Sequence, residues 1–101
     1  MLFELTIVPV TGHAHISGEI AEALKIIDAA GLAYRLTPTG TCIEGTWDEV
    51  MPVIRRCHDH IRKFTPYVVT TISIEDKEGA QNLLEKNIAS VEEKLGHPVK
   101  C

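Results

Sequence analysis

Ala33-Tyr34-Arg35-Leu36-Thr37-Pro38-Thr39-Gly40-Thr41-Cys42-Ile43-Glu44-Gly45-Thr46 is the stretch on which the fold turns. It reads as two short strands, about 33 to 37 and 41 to 46, joined by Pro38-Thr39-Gly40, which has the turn chemistry of a hairpin. What matters is that this hairpin lies between two helical patterns. Upstream, Ser17 can cap a helix with Glu19 in its first turn, Ile20, Leu24 and Ile27 at helical spacing, and Gly31 as its left-handed stop. Downstream, Thr46-Trp47-Asp48-Glu49 matches a capping box, opening a helix that buries Val50, Ile54, Cys57, Ile61 and Phe64. Pro52 sits early in that helix, where a missing amide costs least.

Further outward, residues 2 to 10 alternate: Phe3, Leu5 and Ile7 fall on one side, and Glu4, Thr6 and Val8 on the other. The β-branched run from Tyr67 to Glu75 predicts a last strand. A final helix from about 79 to 95 carries Leu84, Ile88, Val91 and Leu95, with Gly96 as stop and Pro98 beyond. The order βαββαβ plus a C-terminal helix predicts an α+β, ferredoxin-like sandwich in a single domain spanning 1–101, an antiparallel sheet with two helices on one face.

Alternation then assigns the two faces of the sheet. Phe3, Leu5, Ile7, Ile43, Val68, Ile72 and Ile74 are expected toward the helices. Glu4, Thr6, Arg35, Thr37, Cys42, Glu44, Thr71, Ser73 and Glu75 are expected on the open side. That open face is rich in hydroxyls and carboxylates, as befits a solvated sheet, a subunit interface or a ligand surface. Two helices already cover the other face, so the stripe of the third needs another surface, and a neighbouring subunit is the expected one.

Composition narrows the function. With 10 Lys plus Arg against 14 Asp plus Glu, a net charge of -4, and no basic run beyond Arg55-Arg56, the chain carries no footprint for a nucleic acid or an anionic membrane. The two central strands also lack the stacking aromatics of an RNA-recognition domain. No apolar run approaches a membrane span, and the first residues lack the basic and small-residue signature of a secretion signal. Cys42, Cys57 and Cys101 are odd in number and contain no CxxC, which argues against a disulfide framework and for a cytoplasmic protein.

Candidate chemistry is sparse. His13-Ala14-His15 could place two imidazoles on one side of a loop, and Cys57-His58-Asp59-His60 adds further donors. On a helix, however, only Cys57 and His60 share a face, and Cys57 belongs to the core stripe, so solvated histidines are the better reading and no metal site is expected. Cys42 has no local base to activate it. Glu44 and Glu75 could in principle divide acid and base roles, but carboxylates on a sheet are more often solvated or paired. The loop after the first strand also lacks the Arg of an acylphosphatase-like anion cradle and the CxxC of a heavy-metal-associated domain.

Several ordered segments converge: Val8-Pro9-Val10, Ser17 with Ala21-Glu22-Ala23, Gly31-Leu32-Ala33-Tyr34, Gly40-Thr41-Cys42-Ile43-Glu44-Gly45, Asp48-Glu49-Val50, Thr70-Thr71-Ile72 and Val91-Glu92-Glu93-Lys94-Leu95. Together they resemble the thiamine-binding, YkoF-like family of small ferredoxin-like proteins over nearly the whole chain. The resemblance implies a homodimer or homotetramer that binds thiamine or its hydroxymethylpyrimidine moiety without catalysing a reaction and without a cofactor. By motif position it implicates Ser17, Thr41, Glu44 and Thr71; strand alternation adds Thr37. Glu44 is expected to recognise the cationic or amine group, Thr37, Thr41 and Thr71 to hydrogen-bond the ring, and Ser17 to form the loop-side wall. The alternative is an oligomeric structural or regulatory module with no small ligand.

Overall fold

The computed structural model describes residues 1–12 and 16–100. Its elements are β1 (Leu2–Pro9), α1 (Ser17–Ala29), β2 (Ala33–Thr37), β3 (Gly40–Glu44), α2 (Trp47–Arg62), β4 (Val68–Glu75) and α3 (Leu83–Leu95). The four strands form one antiparallel sheet in the order β2-β3-β1-β4, with α1 and α2 packed side by side on one face, a ferredoxin-like α+β sandwich. Among the described residues, no helix is long and apolar enough to cross a membrane.

The alternation in β1 sends Phe3, Leu5 and Ile7 into a core completed by Ala23 and Ile27 of α1, Ile43 of β3, and Val50, Val53, Ile54, Cys57 and Ile61 of α2. Cross-strand pairing fixes the faces. Ile74 lies opposite Phe3, Ile72 opposite Leu5 and Ile43 opposite Phe3, all on the helix side as expected. The capping box is formed as the sequence predicts: Thr46 Oγ1 accepts the Glu49 N–H at 3.3 Å, and the Glu49 carboxylate accepts the Thr46 N–H at 3.0 Å. That pair draws the Glu49 carboxyl below the usual carboxylate range.

Three local expectations need correction. Ser17 does not cap α1: the cap position is Ile16, whose carbonyl receives the Ile20 N–H, and Ser17 is the first helical residue. Phe64 is 64% exposed, because α2 ends at Arg62 and the ring stands beyond it, edge-on to His60 at 5.2 Å. The last helix starts at Leu83 rather than near 79, since Gly79 and Asn82 both take left-handed backbone that keeps the preceding segment out of a helix.

Both glycines that bound β3 are there for packing. A Cβ on Gly40 would come within 2.9 Å of the Leu5 carbonyl oxygen, and one on Gly45 within 2.9 Å of Val50 Cγ2. The first contact holds the hairpin close against β1, and the second lets α2 start directly beneath the end of β3.

Candidate functional site

The hairpin is shorter than the strand beside it. The β1–β3 ladder stops at Leu5 opposite Thr41, while β1 continues to Pro9 with β4 on its other side. Beyond Leu5, β1 therefore runs without a strand neighbour toward β3 among the described residues, and a strand edge of this kind presents amides and carbonyls available for hydrogen bonding. Over this gap sits the first half of α1. Ala23 and Ile27 enter the core, but Ile20 and Leu24 remain half-buried because no strand among the described residues lies beneath them.

The result is a cleft of about 620 Å3 between α1, β1 and the β2–β3 hairpin. Its walls are apolar side chains such as Ile20, Leu24 and Leu36, interrupted by the hydroxyls of Thr6, Ser17, Thr37, Thr39 and Thr41. No described residue lining it is ionisable. The hairpin tip is braced in place: Thr6 Oγ1 donates to the Thr39 carbonyl at 3.4 Å, and Thr37 Oγ1 both donates to the Gly40 carbonyl at 3.0 Å and accepts its N–H at 3.1 Å. Because Ser17 makes no side-chain cap bond, its hydroxyl is not committed to the helix terminus.

The five residues singled out from sequence thus divide. Ser17, Thr37 and Thr41 line the cleft. Thr41 does so from the helix side of the sheet, 7% exposed and on the same face as Leu5 and Leu36. Glu44 and Thr71 lie elsewhere. Thr71 is exposed, paired with Thr6 on the β1–β4 ladder and not among the cleft residues. The Glu44 carboxylate accepts the N–H groups of Leu83 at 2.6 Å and Leu84 at 3.4 Å, so it caps α3, whose own N-cap Asn82 makes no side-chain bond. Both bonds tie the Glu44 carboxylate to the start of α3, away from the cleft. Sequence reasoning missed Thr6, Thr39, Ile20 and Leu36. The hairpin turn signal points to Thr39, whereas the gap left by a short β3 is a tertiary feature that periodicity does not encode.

The remaining candidates are dispersed. His13 and His15 fall outside the described residues. His58 Nδ1 lies 2.6 Å from Thr70 Oγ1, His60 Nε2 lies 3.4 Å from the Glu22 carboxylate, and Cys57 Sγ donates to the Ala23 carbonyl at 3.5 Å. Burial pushes the Cys57 thiol up to about 11, and it also raises that of Cys42, assisted by the nearby Glu4 carboxylate. Among the described residues, no group of three or more His, Cys, Asp or Glu could hold a metal ion.

Comparison with known proteins agrees with this architecture. The family model described as thiamine-binding protein matches residues 3–92, and the chain belongs to that family. The UPF0045 protein YqgV of Bacillus subtilis is 34% identical over 98 residues, covering 91% of this chain and 94% of that one. The crystal structure of MJ1052 from Methanocaldococcus jannaschii superimposes with a TM-score of 0.84 at 22% identity, covering 91% and 95% of the two chains. TM0486 of Thermotoga maritima, provisionally assigned to thiamine biosynthesis or salvage, gives 0.79 at 21% identity over 89% and 96%. At these identities the two structures speak for the fold.

Proposed function

We propose that this protein binds thiamine or a related pyrimidine, without turnover, as a cytoplasmic homo-oligomer, and that the ring enters the cleft between α1 and the hairpin by its neutral pyrimidine end. The observation that carries this reading is an apolar cleft interrupted by Ser17, Thr37 and Thr41 hydroxyls and lined by no described ionisable side chain. An aminopyrimidine is flat and apolar on its faces and alternates donors and acceptors along one edge, which suits apolar walls, hydroxyls and a strand edge with no described strand beside it. A permanently charged thiazolium gains nothing from such walls and is better left in solvent.

Membership in the thiamine-binding family supports the ligand class, as does the name given to the Thermotoga maritima protein. Titration calorimetry with hydroxymethylpyrimidine and with thiamine tests the reading. Both should bind the wild type, and Thr41→Val should weaken both by about 1 to 3 kcal/mol, the cost of leaving a buried ring polar atom without its partner. No heat with either compound at millimolar concentration overturns ligand binding and favours the module without a small ligand.

A further inference from the structure

Helix α1 stands between two cavities. On one flank lies the cleft of about 620 Å3, over which Ile20 and Leu24 are half-buried. On the other, between α1 and α2, lies a second of about 310 Å3, rimmed by Glu22, Lys25, Arg56 and His60. Core packing therefore fixes one edge of the helix, through Ala23 and Ile27. The N-terminus adds little, since the cap position Ile16 makes no side-chain bond. A helix held along one edge, with space on both flanks, is free to rock by small sliding movements that keep its core contacts.

Polar contacts then decide where it rests. Among the described residues, three side-chain contacts join α1 to other elements. Tyr34 OH donates to Asp28 Oδ1 at 2.9 Å, near the C-terminal end of the helix. In the half that overhangs the cleft, Cys57 Sγ donates to the Ala23 carbonyl at 3.5 Å, and His60 Nε2 lies 3.4 Å from Glu22 Oε2. A thiol is a weak donor, so the His60–Glu22 contact is the restraint with strength to vary, and imidazole is the side chain that titrates near neutral pH.

That contact is unfinished. Nε2 is buried and, among the described residues, makes no hydrogen bond, a condition that calls for a reason in a folded protein. A neutral ring carries one N–H on either nitrogen. The charged ring carries both, so Nε2 always has a hydrogen to give and a positive charge to set beside the carboxylate. Glu22 is ready for it: Lys25 at 3.0 Å first, and His60 after it, hold the Glu22 carboxyl below the usual range, so it is ionised wherever an imidazole titrates. The charged groups around the ring are Glu22 and Lys25 on α1 and Arg56 one turn back on α2, and the Phe64 ring packs edge-on at 5.2 Å. Lys25 and Arg56 repel a charged ring and Glu22 attracts it, so charging the ring favours the arrangement that brings Glu22 close.

We propose that His60 is a positioning residue of the cleft: on gaining a proton it draws Glu22, and with it α1, toward α2, and so holds the cleft open for its ring ligand. Glu22 and the cleft residue Ile20 lie on opposite flanks of α1, so a pull toward α2 is a pull away from the hairpin. Released, Ile20 and Leu24 settle toward Leu36 across the cleft, as apolar surface does in water. A binding-competent state that is more populated gives a lower apparent dissociation constant, and affinity rises as pH falls. The inference rests on the cleft being the ligand site and adds its regulation by pH.

Titration of wild type, His60→Gln and Glu22→Gln with hydroxymethylpyrimidine, at about pH 8 and about pH 6, spans the imidazole range and tests it. Protonation of the ligand itself is common to all three proteins, so differences between them belong to the chain. Relative to either variant, the wild type should gain about fivefold in affinity toward the lower pH, the low end of ordinary coupling between sites. Both substitutions fall outside the core, and circular dichroism checks folding. A second readout needs no ligand: hydrogen exchange at residues 20–24, corrected for its intrinsic pH dependence, should be slower at the lower pH in the wild type alone. A pH profile shared by all three proteins, or a wild-type affinity that falls relative to the variants toward acid, overturns the role of His60 and leaves the cleft standing as the ligand site. No binding by the wild type at either pH overturns the ligand reading, and exchange at residues 20–24 that ignores pH, or changes equally in the variants, overturns the positioning of α1 on its own.

Discussion

The carboxylate of Glu44 accepts the main-chain N–H of Leu83 at 2.6 Å, joining the end of β3 to the first turn of α3 across 39 positions of sequence. A residue whose motif position suggested ligand recognition is thereby the cap of a helix. Glu44→Ala should release that turn and destabilise the protein by about 0.5 to 2 kcal/mol, the range of a lost N-cap. Hydrogen exchange should accelerate at residues 83–86, while affinity for hydroxymethylpyrimidine should stay within twofold of the wild type.

Gly40→Ala should damage the cleft itself. Its Cβ would meet main chain, the Leu5 carbonyl oxygen at 2.9 Å, so the hairpin must move away from β1. Denaturant titration should show a loss of about 1 to 3 kcal/mol, as for overpacking, and ligand affinity should fall with it. Gly45→Ala meets a side chain, Val50 Cγ2, and should cost stability without reaching the cleft.

The capping box predicts an acid dependence. The Glu49 carboxyl lies below its ordinary range because it accepts the Thr46 N–H. A lowered folded pKa means a contribution that is present above the unfolded pKa and is lost as pH falls through the folded one. Thermal melts of Glu49→Gln should therefore show a flatter decline than the wild type below the ordinary carboxylate range. Thr46→Ala should cost about 1 kcal/mol at neutral pH.

Cys57 should be chemically silent in the folded protein. With its thiol pushed up to about 11, roughly one molecule in a thousand is thiolate at pH 8, and the sulfur is fully buried. Alkylation of Cys57, followed by peptide mass spectrometry, should track global unfolding; rapid labelling under native conditions would contradict the packing described.

Most of the fold was legible because the sequence signals were local. Alternation in β1, the capping box at Thr46 and Glu49, the β-branched run of β4 and the stop at Gly96 each depend on neighbours a few residues apart. The cleft was legible only in part. Ser17, Thr37 and Thr41 belong to the cleft, but Thr41 reaches it from the helix face and Glu44 and Thr71 lie apart from it. Alternation places a side chain on a face; it does not say that β3 ends early or that a helix 39 residues away will take a carboxylate.

The most direct measurement of the central claim is the map of amide chemical-shift changes when hydroxymethylpyrimidine is added to isotopically labelled protein. Changes should concentrate at Thr6, Ser17, Thr37 and Thr41, with Glu44 and Thr71 unmoved. Changes centred on the open face at Thr71, or none at millimolar ligand, would contradict it.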